Sequence, residues 1–120
     1  MDELVARIVS SVGIEKPIAE RAVGIILDFL ATDGPTDKVQ NLFAHLPGSA
    51  EAAEAAHAGD GGGGMFGGIM GVGSRLMAAG LGMGEIQGVT HELIAFAREK
   101  AGSDDVDAVV AAIPGLGQFV

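Results

Sequence analysis

The sequence predicts an all-α protein, a compact helical bundle of two pseudo-twofold-related three-helix repeats joined by an Ala/Gly-rich connector. Three observations predict it. Apolar residues recur at helical spacing in segment after segment, and no stretch alternates with the period of a strand between turn signals. Glycine and proline fall where those helices should stop. The second half of the chain also repeats the first in register.

Asp2 can cap a first helix with Leu4, Val5, Ile8, Val9 and Val12 on one stripe, and Gly13 stops it. Pro17 suits the first turn of a second helix. Its apolar positions are Ala19, Ala22, Val23, Ile26, Leu27 and Leu30, widened by Ile25 and Phe29, so it should be buried on more than one side. Asp33-Gly34-Pro35 ends it. Thr36 is expected to cap a short third helix with Val39, Leu42, Phe43 and Leu46 inward, closed by Pro47-Gly48. Ser49 starts an Ala/Glu-rich run of strong helix propensity with almost nothing large to bury, which reads as a short, partly exposed helix or a frayed connector.

The centre of the chain, Gly59 to Gly73, reads G-D-G-G-G-G-M-F-G-G-I-M-G-V-G. Glycine costs about 1 kcal/mol against alanine in a helix interior. A loop is therefore expected there, with Met65, Phe66, Ile69 and Met70 docking it on the bundle or on a partner. Ser74 to Ala79 looks helical, Gly80-Leu81-Gly82 breaks the run, and a long helix follows from about Glu85 with Ile86, Val89, Leu93, Ile94, Phe96 and Ala97 apolar. Ala101-Gly102 ends it. Ser103 is expected to cap a last helix with Val106, Val109, Val110 and Ile113 inward, and Pro114-Gly115 closes it.

The duplication is clearest where T-D-K-V-Q-N-L-F-A-H-L-P-G, from Thr36, faces S-D-D-V-D-A-V-V-A-A-I-P-G, from Ser103. Asp37/Asp104, Val39/Val106, Ala44/Ala111, Pro47/Pro114 and Gly48/Gly115 are identical. The same register places Ala22 on Val89, Ile26 on Leu93, Leu27 on Ile94 and Phe29 on Phe96. Upstream, the segment from Arg7 to Ile14 resembles that from Arg75 to Met83, with one glycine inserted. A three-helix unit this short leaves an apolar face open, and two copies can bury those faces against each other. The whole chain, 1–120, thus reads as one domain: repeat one at 3–48, connector at 49–70, repeat two at 71–115 and an apolar tail at 116–120.

Composition and motifs remove most chemistries. The net charge of −9 repels phosphate backbones and anionic surfaces, and the seven basic residues are scattered, so no nucleic-acid partner is expected. Without cysteine there is no thiol nucleophile or thiolate metal site. The opening Met1-Asp2-Glu3 lacks the basic and apolar regions of a signal peptide, which gives a cytoplasmic expectation. The glycine tract has no Lys-Ser or Lys-Thr for a phosphate loop and no preceding strand for a dinucleotide fold. Glu54-Ala-Ala-His57 has the spacing of half a carboxylate-bridged di-metal site, but no second copy exists. His45 and His91 read as packed or surface histidines. Ser74 lies in no nucleophile elbow, and Asp104-Asp105 suit a helix start. No catalytic residue, cofactor or metal is expected.

The residues Val12-Gly13-Ile14, Leu46-Pro47-Gly48, the tract 61–73, Leu81-Gly82-Met83 and Ile113-Pro114-Gly115-Leu116 carry a resemblance over most of the chain. With them the sequence resembles a family of small Gly-rich helical bacterial proteins of unknown function (domain-of-unknown-function 2780-like, with 2267-like as the alternative). The resemblance implies a helical fold and a bacterial origin, and no residue role.

The functional expectation is a non-enzymatic interaction or scaffold module that self-associates through surplus apolar surface at Met65, Phe66, Ile69, Met70, Phe119 and Val120. The alternatives are a carrier of a small apolar ligand between the repeats and a protein that meets a membrane through its glycine rows, Gly63/Gly67/Gly71 and Gly80/Gly84/Gly88.

Overall fold

The computed structural model describes residues 2–59 and 68–113, with Asp33, 57–59 and 68–70 described as backbone only. The described chain forms α1 (Asp2–Val12), α2 (Lys16–Asp33), α3 (Thr36–Ala44), α4 (Ser49–Gly59), α5 (Gly68–Ala78), α6 (Met83–Ala101) and α7 (Ser103–Ala112). Among the described residues there is no strand, as the apolar periodicity predicts.

The two long helices, α2 and α6, touch each other, and the rest are arranged around them. Helix α1 lies against both α6 and α2, and α5 lies mainly against α2 with a smaller contact to α6. Helices α3 and α7 lie together, and α4 packs on α2.

Helix α2 owes its place to its sequence. From Ala22 to Leu30 every residue is buried, which a helix achieves only with neighbours all round. Pro17 sits in its first turn, where a missing N–H costs nothing. It ends at Gly34, whose N–H donates to the Leu30 carbonyl over 2.9 Å. Gly34 has an ordinary φ of −83°, so glycine is needed there for space: a Cβ would fall 2.6 Å from the Leu30 oxygen and 2.8 Å from Val39 Cγ2.

Helices α1 and α5 stop in the same way. Gly13 follows α1 with φ +84°, and its N–H donates to the Val9 carbonyl over 3.1 Å. Gly80 follows α5 with φ +108°, and the next N–H, of Leu81, reaches back to Leu76 O over 3.2 Å. These are left-handed caps that a side chain would strain. Ile14 and Leu81, the residues after the two glycines, are both buried.

Four expectations are corrected. Thr36 does not cap α3: the cap position is Pro35, in extended conformation, and Thr36 is already helical. Ser103 does not cap α7. Gly102, with φ +91° and ψ 152°, ends α6 and begins α7, so one residue turns the chain and Ser103 enters the helix. The glycine tract is not a loop as far as Gly73, because α5 runs from Gly68. Burial of Gly71 and Val72 overrides the poor propensity of glycine. The long sixth helix also starts two residues early, at Met83, and Glu85 Oε1 accepts the Gly82 N–H over 2.8 Å.

Buried positions recur in the register read from the sequence. Ala22 and Val89, Ile26 and Leu93, Leu27 and Ile94, Phe29 and Phe96, Val39 and Val106, Leu42 and Val109, and Leu46 and Ile113 are buried pair by pair. Each fully buried Leu or Ile stabilises the fold by about 1.5–3 kcal/mol.

Candidate functional site

The residues expected to form the interaction surface lie outside the described region. Met65, Phe66, Phe119 and Val120 are not described at all, and Ile69 and Met70 are described only as backbone in the first turn of α5. The other sequence candidates can be placed. His45 and His91 are exposed, and His45 Nδ1 lies 2.8 Å from the Asn41 carbonyl. Glu54 is exposed on α4, while the His57 side chain lies outside the described residues. Ser74 is exposed. Asp104 and Asp105 occupy the first turn of α7, with Asp105 3.5 Å from Lys38 Nζ on α3. Among the described residues no group of three or more His, Cys, Asp or Glu could hold a metal ion. None of the described helices is long and apolar enough to cross a membrane.

The structure builds a site that the sequence reading passed over, at the meeting of α2, α4 and α5. Asp28, 6% exposed, stands in the apolar run of α2. Arg75 of α5 brings Nη2 to 3.0 Å from Asp28 Oδ2 and donates from the same nitrogen to the Ala56 carbonyl of α4 over 3.4 Å. A charge taken from water is costly unless paired and hydrogen-bonded. Here two charges meet that condition in each other. The signal was legible: Asp28 is the lone acid between Ile25 and Leu30, and Arg75 is the lone charge from Gly61 to Gly84. Neither segment by itself names the other as its partner.

Helix α4 covers this pair through small residues. At Gly24 of α2 a Cβ would fall 2.7 Å from the Ala52 carbonyl oxygen and 3.2 Å from Ala56 Cβ, so only glycine admits the α4 backbone at that distance. Ala53 is buried, Ala52 and Ala56 half-buried. Ser49, at the start of α4, is fully buried and donates from Oγ to the Phe43 carbonyl over 3.3 Å. The Ala/Glu run is thus a helix with a defined seat.

On the α1–α6 side the counterpart charge cluster is more open. Arg7 donates from Nη1 to Glu99 Oε2 over 2.8 Å and places Nη2 3.7 Å from Glu92. The hydrogen bond it donates to Glu99, with the nearby acids, holds the Arg7 guanidinium above its ordinary pKa. Arg7 and Lys100 both lie over the buried Phe96 ring, 5.6 and 5.4 Å from its centroid. This is a cation–π arrangement that fixes α1 to the last turns of α6.

A second surface feature flanks the turn between α5 and α6. Met77 is 51% exposed and Met83 54%, the large hydrophobic side chains most open to solvent among those described. A Cβ on Gly80, in the turn between them, would lie 3.8 Å from Cδ1 of half-buried Ile18. Lys16 opens α2 where Met83 opens α6, and the match of Arg7 with Arg75 sets Val9 against Met77.

No protein-family model, no curated protein and no solved structure matches this chain.

Proposed function

We propose that this chain is a non-enzymatic interaction module that self-associates, and that its two halves are pseudo-twofold-related copies of one three-helix unit. Three features support the duplication: the matched helix lengths, the positive-φ glycines Gly13 and Gly80 after α1 and α5, and the burial pairs in one register. The single observation that carries self-association is the exposed pair Met77 and Met83. Lys16 stands at the first position of α2 where α6 has Met83, so a helix start of this kind does not require methionine. Methionine is flexible and polarisable, which suits an adaptable contact surface. Contiguous exposed apolar surface marks an interface.

Light scattering over a concentration series tests this. The expected result is a monomer–dimer equilibrium that Met77→Ser and Met83→Lys together weaken at least tenfold, with an unchanged thermal midpoint. A monomer at every concentration, or a dimer indifferent to both substitutions, overturns the Met77/Met83 reading.

A further inference from the structure

We propose that Met77 and Met83 are oxidative modification sites: a peroxide converts both thioethers to sulfoxides, and the chain stops self-associating while its fold persists. The inference rests on the self-association reading above and names what regulates that surface. The five methionines hold the chain's only sulfur, since cysteine is absent, and neither tryptophan nor tyrosine is present to draw an oxidant. A peroxide that meets this protein therefore acts on thioethers. Met77 and Met83, the two methionine side chains described, are each more than half exposed, within reach of so small a reagent.

The fold does not depend on either sulfur. The buried apolar side chains described are Val, Leu, Ile, Ala and Phe, with no methionine among them. Leu76 before Met77 and Leu81 before Met83 are buried, so carbon holds α5 and the turn that follows it in place. Lys16 opens α2 where Met83 opens α6, so a helix start of this kind accepts a strongly polar side chain.

The step moves one oxygen atom. A lone pair on the methionine Sδ attacks hydrogen peroxide, and the S–O bond forms as the O–O bond breaks. Sulfur gives up two electrons and the peroxide takes them. The departing hydroxide collects the proton from the transferred oxygen and leaves as water. A flexible apolar side chain becomes a polar one, whose oxygen binds water. Covering that oxygen in a contact costs those hydrogen bonds. Because association covers both sulfurs, oxidation takes the free chain and keeps it free.

The test uses the unsubstituted chain. It is partly oxidised with hydrogen peroxide and passed over immobilised unoxidised chain. Peptide mass mapping then gives the sulfoxide content of each methionine in the bound and unbound pools. The expected result is sulfoxide at Met77 and Met83 at least tenfold richer in the unbound pool, with Met1, Met65 and Met70 alike in the two pools within twofold. Sulfoxide reductases with a dithiol, which becomes a disulfide as the oxygen leaves in water, should return the unbound chain to the bound pool. Equal sulfoxide at Met77 and Met83 in the two pools, with unoxidised chain retained, overturns the switch and leaves self-association standing. Enrichment at Met65 or Met70 in their place assigns control to the glycine tract and also overturns it. Unbound chain that stays unbound after reduction, or a helical circular dichroism signal that falls on oxidation, shows damage in place of switching and overturns it too. If unoxidised chain is not retained at all, the self-association reading fails and the switch fails with it.

Discussion

Arg75 and Asp28 join the two halves of the chain at a point largely withdrawn from water: their nearest charged atoms are 3.0 Å apart, and their side chains keep 14% and 9% of their exposure. The pair sits where α4 covers α2, and its loss should be felt by α2, α4 and α5 together.

Removing one partner should cost more than removing both. Arg75→Met removes the cation 3.0 Å from a buried carboxylate, and breaking a buried pair in this way costs about 3–5 kcal/mol. Asp28→Leu combined with Arg75→Met should recover most of that. Urea denaturation of the two singles and the double gives the coupling directly. Additive losses would show that the two residues do not act as a pair.

Gly34 and Gly102 should fail on substitution for different reasons. Gly34→Ala drives a Cβ into the Leu30 carbonyl and Val39, an overpacking that costs about 1–3 kcal/mol. Gly102→Ala meets nothing within 4 Å, and its cost, about 1–3 kcal/mol, comes from φ +91° with ψ 152°, a region almost confined to glycine. Val39→Ala should therefore relieve Gly34→Ala in part, while no change of neighbour relieves Gly102→Ala. Thermal midpoints of the singles and the Gly34→Ala/Val39→Ala double test the distinction.

Ile26→Ala and Leu93→Ala should cost similar amounts, about 2–5 kcal/mol each, since both side chains are fully buried at matching places on the two central helices. A cost confined to one of them would mean that the halves are not equivalent in the core. Chemical denaturation of each variant provides the comparison.

Salt should strengthen self-association. Each copy carries −9, so two copies repel, and ions screen that repulsion over about 10 Å at 0.1 M. An apolar contact through Met77 and Met83 gains nothing from charge and should tighten as salt is raised. Sedimentation equilibrium at several ionic strengths reads the trend. Weakening with salt would point instead to a contact made by ion pairs.

Helix positions could be read from the chain because apolar spacing and Gly/Pro punctuation are local properties. Leu4, Val5 and Ile8 announce α1, and Gly13 and Gly80 announce the left-handed caps that close α1 and α5. The caps at Thr36 and Ser103 were misplaced because Pro35 and Gly102 turn the backbone one residue earlier. Asp28 and Arg75 were each visible as an oddity. Their partnership was not, since it depends on how α5 crosses α2.

By itself the sequence determined an all-helical chain, the order of its helices and most of the residues that face inward. Tertiary structure alone decided that α1 meets both long helices and α5 lies mainly on α2, that Gly71 and Val72 are helical, and that an alanine-rich run seats on Gly24. Periodicity says only that a face is apolar. Which face meets which is settled by backbone distance and by the need to pair a buried charge, and those exist only once the helices are side by side.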